Sequence, residues 1–407
     1  MNNDSRRWLL GLVFFVMALV VFSSDPVKAA TKKEILIGTN LPLTGMLASA
    51  GQEQRWSYEQ AVKDVNAKGG IFVKEYGKKL PVKLVVEDDE SNAGKASQAV
   101  ERLIKVHKVD MLLSGFSAPF GVIPGCTTAE KYKKYYHASI CLIPPWLEKK
   151  FKWSTLFFFD LEQAVAVPFQ LWNSLPKEQR PKKAALLMED TFDGRAFAGL
   201  FRSIAQKNGY SFALDETLAV GAKDYSAEIL KAKSLGVDAI LIFTSSSDSV
   251  TFVRQMKENN FSVPYLHGWK GTWQGEFWTA LGKDAQYILC DGFWSKDFPF
   301  PGARELGERY EKQFNKPSIA VGATYALAQI LWQAIEKAGS VDGAKVRKAV
   351  LESRFDTVMG PVKYESNGVA IFTSTGHQWN NGTQELVYPF KWAKAKLKLA
   401  PPWDARK

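Results

Sequence analysis

Short apolar runs recur along this chain, each closed by turn-forming residues: Glu34-Ile35-Leu36-Ile37-Gly38, Val82 to Val86, Val109 to Leu113, Ile140 to Ile143, Ala184 to Met188, Ala239 to Phe243 and Pro264 to Leu266. Runs that are apolar throughout, rather than alternating, predict strands buried on both faces of a parallel sheet. Between them, apolar positions recur with helical spacing. Tyr58, Ala61, Val62 and Val65 fall at i, i+3, i+4 and i+7, and the glycines of Asn66-Ala67-Lys68-Gly69-Gly70 stop that helix. Ala96, Ala99, Val100, Leu103 and Ile104 form a second stripe. Phe197, Leu200, Phe201 and Ile204 form a third, Val250, Val253 and Met256 a fourth, and Tyr325, Ala328, Leu331, Trp332 and Ile335 a fifth.

Strand and helix therefore alternate twice over, once before about residue 155 and again after it. Alternation of this kind predicts an α/β protein of two Rossmann-like lobes, each a parallel sheet flanked by helices. The polar stretch Lys177 to Lys183 reads as a surface loop. Residues 391–407, lysine-rich with Pro401-Pro402, read as a C-terminal tail on or off the surface.

Composition changes this picture little: 407 residues, 46% hydrophobic and 23% charged, exclude a disordered chain and allow a sizeable core. The N-terminus changes it more. Arg6 and Arg7 precede an unbroken apolar or glycine run from Trp8 to Phe22, and Val27-Lys28-Ala29-Ala30 follows with small residues. As a helix that run covers about 22 Å, short of the ~30 Å hydrocarbon core of a bilayer. It reads as a secretory signal peptide over 1–30, cleaved near Ala29 or Ala30, rather than an anchor. Ser5-Arg6-Arg7-Trp8-Leu9-Leu10 partly matches a twin-arginine export signal, so either export route stays open. No cysteine lies near the cleavage region to carry a lipid. A soluble periplasmic protein is expected.

The formal charge is +11, and residues 1–30 hold three positive and two negative side chains, which leaves about +10 after cleavage. The lysines are spread out and no arginine-rich block occurs, so nucleic acid is not expected as a partner. A basic surface can draw anionic ligands into a cleft. Cys126, Cys141 and Cys290 allow three different single disulfides, among which sequence cannot choose; a local Cys126–Cys141 bridge is possible. No Cys/His spacing suits a metal, and no cofactor is implied.

Catalytic signatures are missing too. There is no G-x-S-x-G, no H-E-x-x-H and no Walker A loop. The four histidines are scattered. His107 and His137, in Lys/Tyr-rich stretches, are expected at the surface, and His267 as a polar wall of a cleft. A binding protein is favoured over an enzyme.

Lys33 to Gly45, with Ile37-Gly38 and Leu41-Pro42-Leu43-Thr44-Gly45, resembles the start of the branched-chain amino acid binding proteins of ABC importers, which have the type I periplasmic binding fold. Ala61 to Gly70 resembles the end of that family's first helix, Ala323-Thr324-Tyr325-Ala326 a later helix, and Phe355-Asp356-Thr357-Val358-Met359-Gly360-Pro361-Val362 its late signature. Together the motifs cover about residues 33–390. The resemblance implies a lobe 1 of 31–158 plus 288–354, a lobe 2 of 159–287 plus 355–390, and a three-strand hinge crossing near Phe159, Asp291 and Phe355. It implies a monomer that closes on a small-molecule ligand and delivers it to membrane permease subunits. A sensor module of the same fold is the alternative role.

In open α/β sheets ligands bind beyond the carboxyl ends of the strands. The candidate loops are Asn40 to Gly51, Gly115 to Gly121 and Pro144 to Trp146 in lobe 1, and Glu189 to Gly194, Thr244 to Ser247 and Gly268 to Trp273 in lobe 2. The expected ligand contacts are Phe116, Ser117, Ala118, Pro145, Trp146, Phe192, Asp193, Ser245, Ser246, Trp269 and Lys270. Ser117 matches the serine with which the family receives a ligand carboxylate; the plainer reading is a helix cap. Elsewhere the chain departs from the amino acid binders. Ile143-Pro144-Pro145-Trp146 lacks the family's threonine, and Ala50 replaces a tyrosine before Gly51. Gly268-Trp269-Lys270-Gly271 puts a cation where the family has an ammonium-pairing glutamate. An organic carboxylate, which could carry an aromatic ring given Phe116, Phe120, Trp146, Phe192, Trp269 and Trp273 in these loops, is expected in place of a branched-chain amino acid; an amino acid remains the alternative if Glu189, Asp190 or Asp193 takes over the ammonium.

Overall fold

The computed structural model describes residues 32–406; the expected signal peptide and its cleavage point lie outside them. Seven strands form in the first part of the chain: β1 (Ile35–Leu41), β2 (Ile71–Val73), β3 (Lys78–Leu80), β4 (Val82–Asp88), β5 (Met111–Leu113), β6 (Tyr136–Ser139) and β7 (Ser154–Phe159). Then come β8 (Ala184–Glu189), β9 (Phe212–Leu218), β10 (Ala239–Thr244), β11 (Tyr265–Lys270) and β12 (Leu289–Gly292). The last five are β13 (Arg354–Thr357), β14 (Gly360–Lys363), β15 (Val369–Phe372), β16 (Thr375–Asn380) and β17 (Thr383–Tyr388).

Two sheets organise the molecule. The first runs β15-β7-β6-β5-β1-β4 and is parallel throughout. The second runs β17-β16-β12-β11-β10-β8-β9; it is parallel from β12 to β9, with the antiparallel pair β16 and β17 closing one edge. Central strands bury both faces, as their unbroken apolar composition requires: Ile35, Ile37, Leu186, Leu241 and Ile240 are fully buried. Helices cover the sheets. In the first lobe, for example, Val321–Ala338 lies along Ala48–Ala67.

Sheet membership redraws the expected lobe boundaries. β12 pairs with β11, so the second sheet extends to Gly292 before the chain returns. β15 pairs with β7 in the first sheet, so the last crossing follows Phe372 rather than lying near Phe355. Residues 354–363 instead form the separate β13–β14 hairpin. The tail is not loose. Ala400 N–H bonds the Pro264 carbonyl at 2.8 Å, Trp403 Nε1 bonds the Phe261 carbonyl at 2.8 Å, and Arg406 Nη1 bonds the Asp284 carbonyl at 3.0 Å. The last residues thus belong to the second lobe. All three cysteines are buried free thiols, so the Cys126–Cys141 bridge does not form.

The three crossings are tied by aromatic side chains. Phe159 stacks on Phe293 with centroids 5.4 Å apart, and Phe372 contacts Phe157 at 4.9 Å and Phe293 at 6.2 Å.

Candidate functional site

The carboxyl ends of both sheets face one cavity of about 500 Å³ between the lobes, within the usual range for small-molecule sites. Met46, Leu47, Ser49 and Ala50, the turn Phe116 to Phe120, and Ile140 and Leu142 form the first lobe's wall. Asp190 to Asp193, Val220, Phe243, Ser245, Ser246, Lys270 and Trp273 form the opposing wall. Phe158, Phe159 and Phe293 from the hinge make the floor. Aromatic rings and polar or charged side chains contribute to the lining in similar number, with Arg195 and Gln274 among the latter.

The first wall is held by a buried network. Tyr136 Oη donates to Asn40 Oδ1 at 2.9 Å and accepts from the Gly115 N–H at 2.7 Å, while Asn40 Nδ2 donates to Asp89 Oδ2 at 2.9 Å. Burial pushes the Asp89 carboxyl up to about 6. Gly115 has no room for a side chain: a Cβ there would lie 2.5 Å from Asn40 Nδ2. Ser117 follows with φ +69°, and no side chain caps the helical turn that it begins. Its capping role is therefore not realised; Ser117 lines the cavity.

Lys270 ends β11 on the opposite wall, also with a left-handed backbone, φ +59°, and Ile140 at +51° makes a third such position in the cavity. Positive φ is uncommon outside glycine, and for a β-branched residue it is a true outlier; such strain concentrates at functional sites. Gly271 lets this turn approach the neighbouring loop, since a Cβ there would lie 2.3 Å from the Ser245 carbonyl. Lys270 Nζ bonds Glu189 Oε1, and Glu189 is 1% exposed. The Lys270 ammonium also lies 5.5 Å from the Phe243 ring centroid. Lys270 is thus paired rather than free, and the turn does not simply reverse the sign of the site. Thr191 caps helix Phe192–Lys207 through Gly194 N–H at 3.0 Å, which fixes Asp193 in the first turn. Ser245 caps helix Ser246–Glu258 in the same manner, through Asp248 N–H at 3.4 Å.

Of the residues expected to meet ligand, Phe116, Ser117, Ala118, Phe192, Asp193, Ser245, Ser246 and Lys270 converge on the cavity. Pro145, Trp146 and Trp269 do not line it. The strand expected at Ile140–Ile143 is Tyr136–Ser139, so the wall is made by Ile140 and Leu142, and Pro145 and Trp146 fall in the helix Ile143–Glu148 behind it. Trp146 is buried against Phe151 at 5.9 Å. β11 runs on to Lys270, past the expected end at Leu266. It carries Trp269 to the face under helix Phe192–Lys207, 4.8 Å from Phe201. Residues missed by sequence reasoning include Phe158, Phe243 and Phe293, whose positions inside or after apolar strands look like plain core.

The histidines supply no base to the cavity. His137 is buried, not exposed, and shares hydrogen bonds with Tyr135 Oη and Thr155 Oγ1 at 2.8 and 2.9 Å. His267 stacks on Trp269 at 4.2 Å in the strand interior instead of forming a cleft wall. Burial pushes both down to about 3. His107 is at the surface, 2.9 Å from Glu87. Among the described residues no group of three or more His, Cys, Asp or Glu side chains could hold a metal ion, and no helix is long and apolar enough to cross a membrane.

The sequence profile of the family described as "Periplasmic binding protein" matches residues 34–384. The chain is 25% identical over 401 residues to Leu/Ile/Val-binding protein homolog 7 of Brucella abortus (strain 2308), covering 94% of this chain and 98% of that one. Its fold is similar to the branched-chain amino acid transporter substrate binding protein LivJ from Streptococcus pneumoniae in complex with isoleucine: TM-score 0.75, 20% identity, 87% of this chain and 98% of that one covered. It is also similar to a solute binding protein of an ABC transporter from Rhodopseudomonas palustris BisB5 in complex with 3,4-dihydroxybenzoic acid: TM-score 0.70, 18% identity, 87% and 95% covered.

Proposed function

This chain belongs to the periplasmic binding protein family, and from that premise we propose that it is the exported solute receptor of an ABC importer. In this reading it traps a small organic carboxylate with an apolar, ring-sized body between its lobes and releases it unchanged to a membrane permease. The observation that carries the reading is the cavity itself: Ser117 and Lys270 stand on opposite lobes at strained backbone positions, and aromatic rings line the walls between them. A carboxylate would take the Ser117 hydroxyl from one lobe. From the other it would take the donors of Lys270 not used by Glu189, since an ammonium has three. Aromatic faces would hold the body of the ligand. That two similar folds carry isoleucine and 3,4-dihydroxybenzoic acid supports a carboxylate without deciding its body.

Calorimetry of the mature protein against aromatic and aliphatic carboxylates, with and without an α-amino group, tests this. One-to-one binding of at least one such acid is expected, with the solute recovered intact. Turnover of excess solute, or no binding of any acid in the panel at millimolar concentration, would overturn the reading.

A further inference from the structure

Three charged side chains meet at the polar end of the second wall: Glu189 at the end of β8, Lys270 at the end of β11, and Asp193 in the first turn of helix Phe192–Lys207. Glu189 occupies Lys270. Asp193 has no ion-pair partner among the described residues. Its Oδ1 is buried without a hydrogen bond, and so is Glu189 Oε2. The nearby Arg195 does not supply the missing charge, because it pairs with Asp190 at 2.5 Å on the exposed rim. Two carboxylates thus share one ammonium, and one of them lines the cavity.

We infer that Asp193 is the specificity-determining acid of the cleft and receives a cationic group of the ligand. The inference rests on the cleft being the solute site, and it makes that solute a zwitterion rather than a simple acid. An acid placed only to complement the helix N-terminus gains from the dipole while exposed to water. A buried, unpaired carboxylate oxygen instead costs free energy until a donor meets it. Burial raises the Asp193 carboxyl, Lys270 lowers it and Glu189 raises it again, as expected of a cluster one positive charge short. The turn holding Lys270 carries no acid, so the ammonium-receiving role moves to a different element of the same wall.

Matched probe pairs test this by calorimetry: L-phenylalanine against 3-phenylpropanoate, and L-leucine against 4-methylpentanoate. The wild type should prefer the amine-bearing member of a pair. Asp193→Asn should weaken that member roughly ten- to a hundredfold while leaving the deaminated acid unchanged or tighter. Asp215→Asn, an acid of β9 outside the cavity that pairs with Arg202 at the surface, should leave the preference intact. Wild-type preference for the deaminated acids, or an amine preference that survives in a folded Asp193→Asn, would overturn the inference and leave the carboxylate reading standing. Should Asp193→Asn not fold, Asp193→Ser takes its place with the same expected loss of the amine preference, and a folded Asp193→Ser that keeps the preference overturns the inference. Binding of neither member of either pair would overturn the inference, and the carboxylate reading would fall with it only if the wider acid panel also fails to bind.

Discussion

Lys270 is held at a backbone position that favours glycine by a bond to an acid almost wholly removed from water. Removing one partner of a buried pair strands the other, at about 3–5 kcal/mol, whereas removing both charges together can be nearly neutral. Lys270→Met should therefore lower stability by about 3 kcal/mol, and adding Glu189→Gln should recover most of that loss. Urea denaturation of the two single variants and the double variant measures it. A Lys270→Met protein as stable as wild type would mean that the pair does not hold the turn. Sequence placed Lys270 in a ligand-facing turn without a protein partner, because that partner comes from another strand, 81 residues away. Local pattern contains no signal for that pairing.

At the level of elements, the C-terminal tail makes the sharpest prediction. Trp403 is buried against the second lobe, with the Arg406 guanidinium 3.6 Å from its ring centroid. Trp403→Ala should cost about 3–5 kcal/mol, and a chain ending at Phe390 at least as much, read as a lowered denaturation midpoint. A loss below about 1 kcal/mol would mean a tail merely lying on the surface. Strands with unbroken apolar runs were legible: β4, β8 and β10 begin where those runs begin, and β1 begins one residue inside its run. β6 was not, because Tyr136-His137-Ala138-Ser139 hides four buried positions behind polar side chains whose hydrogen bonds are met internally. That displacement moved the candidate loop onto Pro145 and Trp146. The place of β15 was not legible either. It joins a free sheet edge far from its neighbours in sequence, and no local pattern says which edge is open.

Over the whole molecule, ligand and hinge share residues. Phe159 and Phe293, which stack across two crossings, also floor the cavity, and Trp273 touches Phe293 at 4.8 Å while donating its indole N–H to buried Asp291. Glu276 of the second lobe pairs with Lys316 and lies 3.4 Å from Ser49 on the first. Met46, Phe192 and Val220 stand 71%, 50% and 46% exposed around the mouth. Burying such apolar groups against solute and the facing lobe favours closure by about 25 cal/mol per Å² removed from water. Solute that binds the closed arrangement better must then shift the population toward it. Small-angle X-ray scattering of the mature protein, alone and saturated with its tightest-binding acid, measures this directly. The account predicts a smaller radius of gyration and a narrower distance distribution on saturation. An unchanged curve at full occupancy would contradict it.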